Sequence, residues 1–64
     1  YPLNSKVILN DGKIAIVADN RHNREPVVVT ADRSVIDLHT DKSRQIFGVY
    51  SEVMMDKWRS TQGL

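Results

Sequence analysis

Asp11-Gly12, set between Lys6-Val7-Ile8-Leu9 and Lys13-Ile14-Ala15-Ile16-Val17-Ala18, constrains this chain more than any other feature. A two-residue turn matching the twist of its flanking strands needs positive φ at both central residues, and Asp-Gly supplies that at little steric cost. The spacing predicts a β-hairpin over residues 5–18. Three further runs repeat the pattern at short intervals. Pro26 opens Val27-Val28-Val29-Thr30 at a position where its missing N–H does least harm. Val35-Ile36-Asp37-Leu38 alternates, with Ile36 and Leu38 on one face and Asp37 on the other. In Gln45-Ile46-Phe47-Gly48-Val49-Tyr50, Gly48 signals a bulge or bend and Phe47 is expected in the core. The polar stretches 19–25, 31–34 and 39–44 are the connections.

Ser51 then reads as a helix N-cap and Glu52 suits the first turn, where backbone N–H groups favour negative charge. Val53, Met54, Lys57 and Trp58 recur at helical spacing, and Ser60 to Leu64 reads as a frayed tail. A helix of about two turns needs tertiary support. The fold expected is mainly β: a small five-stranded SH3-like barrel over 1–50, followed by a short C-terminal helix and tail over 51–64.

The chain has 64 residues, so it holds one small core. A domain near this size buries only about 60% of the surface its unfolded chain exposes, which leaves little scaffold for a rigid catalytic cleft. With 41% hydrophobic residues it has enough apolar surface to fold. Cysteine is absent, which removes disulfides and thiolate metal sites and suits a reducing, cytoplasmic setting. No apolar run reaches transmembrane length, so no membrane contact is expected from this segment. Tyr1-Pro2 opens the sequence without a methionine, which reads as a segment of a longer protein.

No catalytic, cofactor or metal residue stands out. Zinc takes three or four ligands, and His22 and His39 are the only histidines, both in polar stretches without ligand spacing. His39-Thr40-Asp41 has the residue types of a nucleophile relay, but sequence neighbours seldom converge as that chemistry requires. Two surfaces remain. Tyr50, Val53, Met54 and Trp58 form an apolar stripe, of which Tyr50, Met54 and Trp58 are the expected contacts for a neighbouring domain or a second copy, being of the residue types favoured at protein contacts. Arg21, Arg24 and Arg33, with the loop at 20–25, are candidates for an anionic ligand or nucleic acid, since guanidinium groups pair bidentately with phosphate. A net charge of +1 offers little general attraction for a polyanion.

Read in order, Tyr1-Pro2-Leu3-Asn4-Ser5-Lys6-Val7, Leu9, Asp11-Gly12, Ile14 to Val17, Asn20, Pro26-Val27-Val28, Ile36-Asp37-Leu38, Asp41-Lys42-Ser43 and Ile46 form a familiar series. It resembles the small segment that follows the catalytic domain in many bacterial HD-GYP proteins, metal-dependent phosphodiesterases that hydrolyse cyclic di-GMP. The resemblance covers roughly residues 1–46 and implies a non-catalytic accessory or interaction module of such a signalling protein. Its partner would be the catalytic domain of the parent chain. The family's metal-binding His-Asp pair and Gly-Tyr-Pro motif are not in this chain, so no catalytic role carries over. Arg21 and Arg24 with Asp41-x-Ser43 also resemble part of the PilZ cyclic di-GMP signature. The two arginines are one residue too close for it, and Ile46 stands where that signature has glycine.

Overall fold

A computed structural model of the chain describes residues 1–22 and 24–62. Five strands and one helix follow in order: β1 Lys6–Leu9, β2 Ile14–Asp19, β3 Val27–Thr30, β4 Val35–Asp37, β5 Ile46–Val49 and α1 Glu52–Thr61. All pairings are antiparallel, and the sheet order is β4-β3-β2-β1-β5. The mainly β class with a short C-terminal helix is therefore as expected. Closure into a barrel is not: β4 and β5 end the sheet as two unpaired edges. The reason lies in the chain after β4. Asp37 carbonyl accepts Thr40 N–H at 3.2 Å and Asp41 N–H at 2.8 Å, which turns the backbone away after three strand residues. The 39–45 connection then ties itself to the first hairpin, with Asn10 Nδ2 donating to the Ser43 carbonyl and Gln45 N–H donating to Asn10 Oδ1.

One face of the sheet builds the core. Val7 and Leu9 of β1, Ala15 and Val17 of β2, Val28 of β3 and Ile36 of β4 share it, joined by Leu38, with Tyr1 and Ile46 packed alongside. The pleat explains the membership, because these residues alternate along their strands and lie opposite one another in register: Val7 with Ala15, Val17 with Val28, Val28 with Ile36. Leu38 lies in the turn beyond β4 yet stays buried, and its N–H donates to the Pro26 carbonyl. Phe47 is corrected from the core to the helix side, where it is half-buried beside Val53 and Lys57. The β1–β5 register shifts between Ile8 and Leu9, opposite Gly48 and Ile46, so Ile46 takes the core position instead.

Val7, Ile8 and Leu9 are all 0% exposed, so β1 is covered on both faces. Ile8 is buried outside the core cluster, on the face where the helix packs beside its register partner Gly48. Ser51 Oγ accepts Met54 N–H at 3.0 Å and starts α1 as expected. Met54 then packs over Gly48, the register partner of Ile8. Trp58 lies over Gly12, and its Nε1–H donates to the Asn10 carbonyl at 3.0 Å. Ser60 and Thr61 belong to the helix rather than to a frayed tail, because Thr61 Oγ1 and Gln62 Nε2 both donate to the Trp58 carbonyl and satisfy the last turn. Gly63 and Leu64 lie outside the described residues.

These contacts rank the two glycines. A Cβ at Gly12 would stand 2.6 Å from Trp58 Cζ2, on a backbone whose φ of +85° already disfavours a side chain. Trp58 is held by its indole hydrogen bond and cannot swing aside cheaply. A Cβ at Gly48 would meet only the flexible Met54 side chain, at 3.0–3.1 Å. Gly12→Ala is expected to destabilise the chain by at least about 1–2 kcal/mol from the left-handed backbone alone, and by more than Gly48→Ala. Urea denaturation followed by Trp58 fluorescence checks this order, and equal losses would contradict it.

Candidate functional site

Two regions outside the core carry candidate chemistry, and both follow from the topology. At one end of the sheet the β2–β3 loop meets the connection between β4 and β5. Asp19, at the end of β2, accepts Arg21 N–H at 3.0 Å and Arg21 Nε at 2.9 Å, with an ion pair to the other guanidinium nitrogen at 2.8 Å. The Arg21 backbone and side-chain hydrogen bonds hold the Asp19 carboxyl below its ordinary range, and Asp19 in turn raises Arg21. Arg21 is thus engaged within its own loop. Asn23 lies outside the described residues.

Across the gap, the imidazole of His22 stacks on that of His39, with centroids 3.9 Å apart and planes within 4° of parallel. His39 Nδ1 stands 3.3 Å from Glu25 Oε1, and Glu25 also accepts from Lys42 Nζ. The Lys42 and His39 contacts lower the Glu25 carboxyl, Lys42 contributing most. Between these two loops opens a cleft of about 230 Å³, with Leu38 and Ile46 as apolar lining and Tyr1, Arg24, Glu25, Arg44 and Gln45 around them. Arg44 is held by Asp11 at 3.2 Å. Among the described residues Arg24 makes no hydrogen bond or ion pair, so its guanidinium is open to an anion.

Arg33 does not join this group. It sits in the β3–β4 turn, at the opposite end of β3 from Arg21 and Arg24, roughly 13 Å away along four strand residues. His39, Thr40 and Asp41 do not converge either: the Thr40 hydroxyl donates to the Asp37 carbonyl, while Asp41 Oδ1 accepts the Ser43 hydroxyl and N–H. Among the described residues no group of three His, Asp or Glu is placed to hold a metal ion. Nor is any described helix long and apolar enough to cross a membrane.

The second region is the outer face of the sheet. Lys6, Ile16, Val29 and Val35 lie directly opposite one another across four strands, and Ile14 adjoins them on β2. Helix α1 covers only the β1–β5 side of this face, so Ile16 remains 36% and Val35 69% exposed. Lys6 Nζ lies 5.5 Å above the Tyr50 ring at the covered end. Met54 and Trp58 are placed against the chain's own glycines, so of the apolar stripe near the C-terminus it is Val53 that is widely exposed. The outer face was the feature missed by the sequence reading, and it had a signal. Ile14-Ala15-Ile16-Val17 and Val27-Val28-Val29 are unbroken apolar runs, and unbroken runs indicate apolar character on both faces of a strand.

Compared with protein-family models, with curated proteins and with solved structures, the chain matches none.

The β3–β4 turn yields a direct electrostatic prediction. The Thr30 hydroxyl donates to Asp32, and Ser34 N–H donates to Asp32 Oδ1 at 3.1 Å, which together lower the Asp32 carboxyl from its ordinary 3.8 to about 2. A carboxyl depressed on folding stabilises the fold above its unfolded pKa and loses that contribution as pH falls through the folded value. The turn's contribution is therefore expected to disappear between about pH 4 and pH 2. Carboxyl-detected NMR should place the Asp32 midpoint near 2, and Thr30→Val should raise it. A midpoint at 3.8 in the unmodified chain would contradict the turn geometry.

Proposed function

We propose that this chain is a non-catalytic interaction module of a bacterial signalling protein of the HD-GYP type, and that it packs against the catalytic domain through the outer face of its sheet. The observation that supports this reading most is the row Ile16, Val29 and Val35 with Ile14 beside it, an apolar surface that the chain's own helix leaves uncovered. Apolar groups shared across several strands gain free energy when a second surface removes them from water. The parent class rests on the ordered residues from Tyr1-Pro2 through Ile46. It implies a cytoplasmic module, in keeping with the cysteine-free sequence.

A second reading is favoured by Arg24, whose guanidinium borders the cleft between the two loops without an acceptor of its own among the described residues. That position suits a phosphate-bearing ligand such as cyclic di-GMP or a short RNA.

One titration separates the two readings. The isotope-labelled chain is titrated with a metal-loaded HD-GYP catalytic domain, and separately with cyclic di-GMP. The proposed function predicts saturable amide shifts at Ile14, Ile16, Val29 and Val35 with the protein, and Ile16→Lys is expected to weaken that binding about tenfold or more. Absence of shifts on this face at millimolar catalytic domain would overturn it. Shifts confined to Arg24, Glu25 and Arg44 with cyclic di-GMP would establish the second reading instead.

A further inference from the structure

We infer that the free edge of β4 is a self-recognition seam, at which two copies of this chain pair antiparallel with Val35 against Val35, so that Arg33 of each copy faces Asp37 of the other. The inference rests on the sheet edge, independently of what covers the outer face.

The backbone fixes which residues the edge offers. Ser34 carbonyl accepts Thr30 N–H at 3.0 Å and Leu38 N–H donates to the Pro26 carbonyl at 3.2 Å, so residues of this parity direct their polar groups into β3. By alternation, Val35 and Asp37 direct theirs outward, where the sheet order has no further strand. Asp37 carbonyl is already occupied by Thr40 and Asp41 N–H, and Arg33 N–H by the Thr30 carbonyl. Val35 therefore presents both an open donor and an open acceptor. A two-fold axis through it lets each copy give one N–H and take one carbonyl, an isologous pairing in which the same patch serves on both sides.

That register also matches the side chains. Antiparallel pairing centred on Val35 brings Arg33, the turn residue two before it at φ 67°, alongside position 37 of the other copy on both flanks. Arg33 is exposed and makes no ion pair among the described residues, and Asp37 uses Oδ1 to accept His39 N–H. Each flank thus places a cation across from an anion. The groups occupied within the chain at this point, Arg33 N–H and Asp37 carbonyl, are the pair that would face each other across the seam, so no open partner is left facing a blocked one. Centring the axis one residue later would set Val35 against Asp37 and demand the occupied carbonyl. The favoured register also joins the two rows Ile16–Val29–Val35 into one apolar band across both copies. A three-residue edge makes a weak contact, so association belongs in the micromolar-to-millimolar range.

Sedimentation velocity on the intact chain from micromolar to millimolar concentration tests the seam, with dispersed amide spectra confirming that each variant folds. Arg33→Asp is suited to the site, because its φ of 67° is one that aspartate adopts readily. Alone, Arg33→Asp and Asp37→Arg each set like charges together on both flanks and should weaken self-association about tenfold. An equimolar mixture of the two variants restores opposite charges on both flanks and should recover association. In a mixed labelled and unlabelled wild-type sample, Val35 methyl groups of one copy should show nuclear Overhauser contacts to Val35 of the other. A chain that stays monomeric at millimolar concentration, or dimerises without loss in the single variants or without recovery in the mixture, overturns the proposal.

Discussion

The fold depends on covering both faces of β1. Val7, Ile8 and Leu9 are fully buried in succession, which an open sheet cannot achieve with one core face. The core takes Val7 and Leu9, and helix α1 supplies the second layer over Ile8. The helix is too short to stand alone in water, so its placement relies on three contacts: the Ser51 cap, Met54 over Gly48, and Trp58 over Gly12 with its indole bonded to Asn10. Gly12 is required there, because its φ is positive and a side chain would occupy the space that the Trp58 ring fills, whereas at Gly48 a side chain would meet only the flexible Met54.

This arrangement divides the outer face of the sheet and so defines what the chain can contact. The covered half, over β1 and β5, consumes Met54 and Trp58 internally. The uncovered half, over β2, β3 and β4, leaves Ile16 and Val35 toward solvent. At the loop end, ion pairs of Asp19 with Arg21 and of Glu25 with Lys42 neutralise most of the local charge. The physical character of the molecule is consequently that of a sheet with a partly uncovered apolar outer surface and two open edges, with a small cleft bordered by Arg24 and Arg44 at its end.

Much of this was legible in the sequence because it is local. Asp11-Gly12 marks the first hairpin through backbone sterics, but not as the two-residue turn expected: Gly12 alone of the pair has positive φ, at +85°, and Leu9 N–H donates to the Lys13 carbonyl across a three-residue loop. Ser51 declares the helix start through the hydrogen bond its hydroxyl accepts. What depends on distant residues was not legible. The stacking of His22 on His39 arises only because two loops share one end of the sheet. The separation of Arg33 from Arg21 and Arg24 follows from the direction of β3, and the loss of barrel closure follows from hydrogen bonds at Asp37 that turn the chain away. Helical spacing exposed Trp58 as apolar and large, but spacing alone does not distinguish a contact made within the chain from one made to a partner.

Helix α1 is an integral layer of the fold, locked by Trp58, rather than an appendage available for docking. Native-state hydrogen exchange of the Trp58 indole N–H tests this most directly. With the helix locked in this way, this proton is protected in the isolated chain, and its opening free energy matches that of the β1 amides at Val7, Ile8 and Leu9. An indole that exchanges at the rate of a free tryptophan while those amides stay protected would show the helix detached, and would return Trp58 to the list of surfaces awaiting a partner.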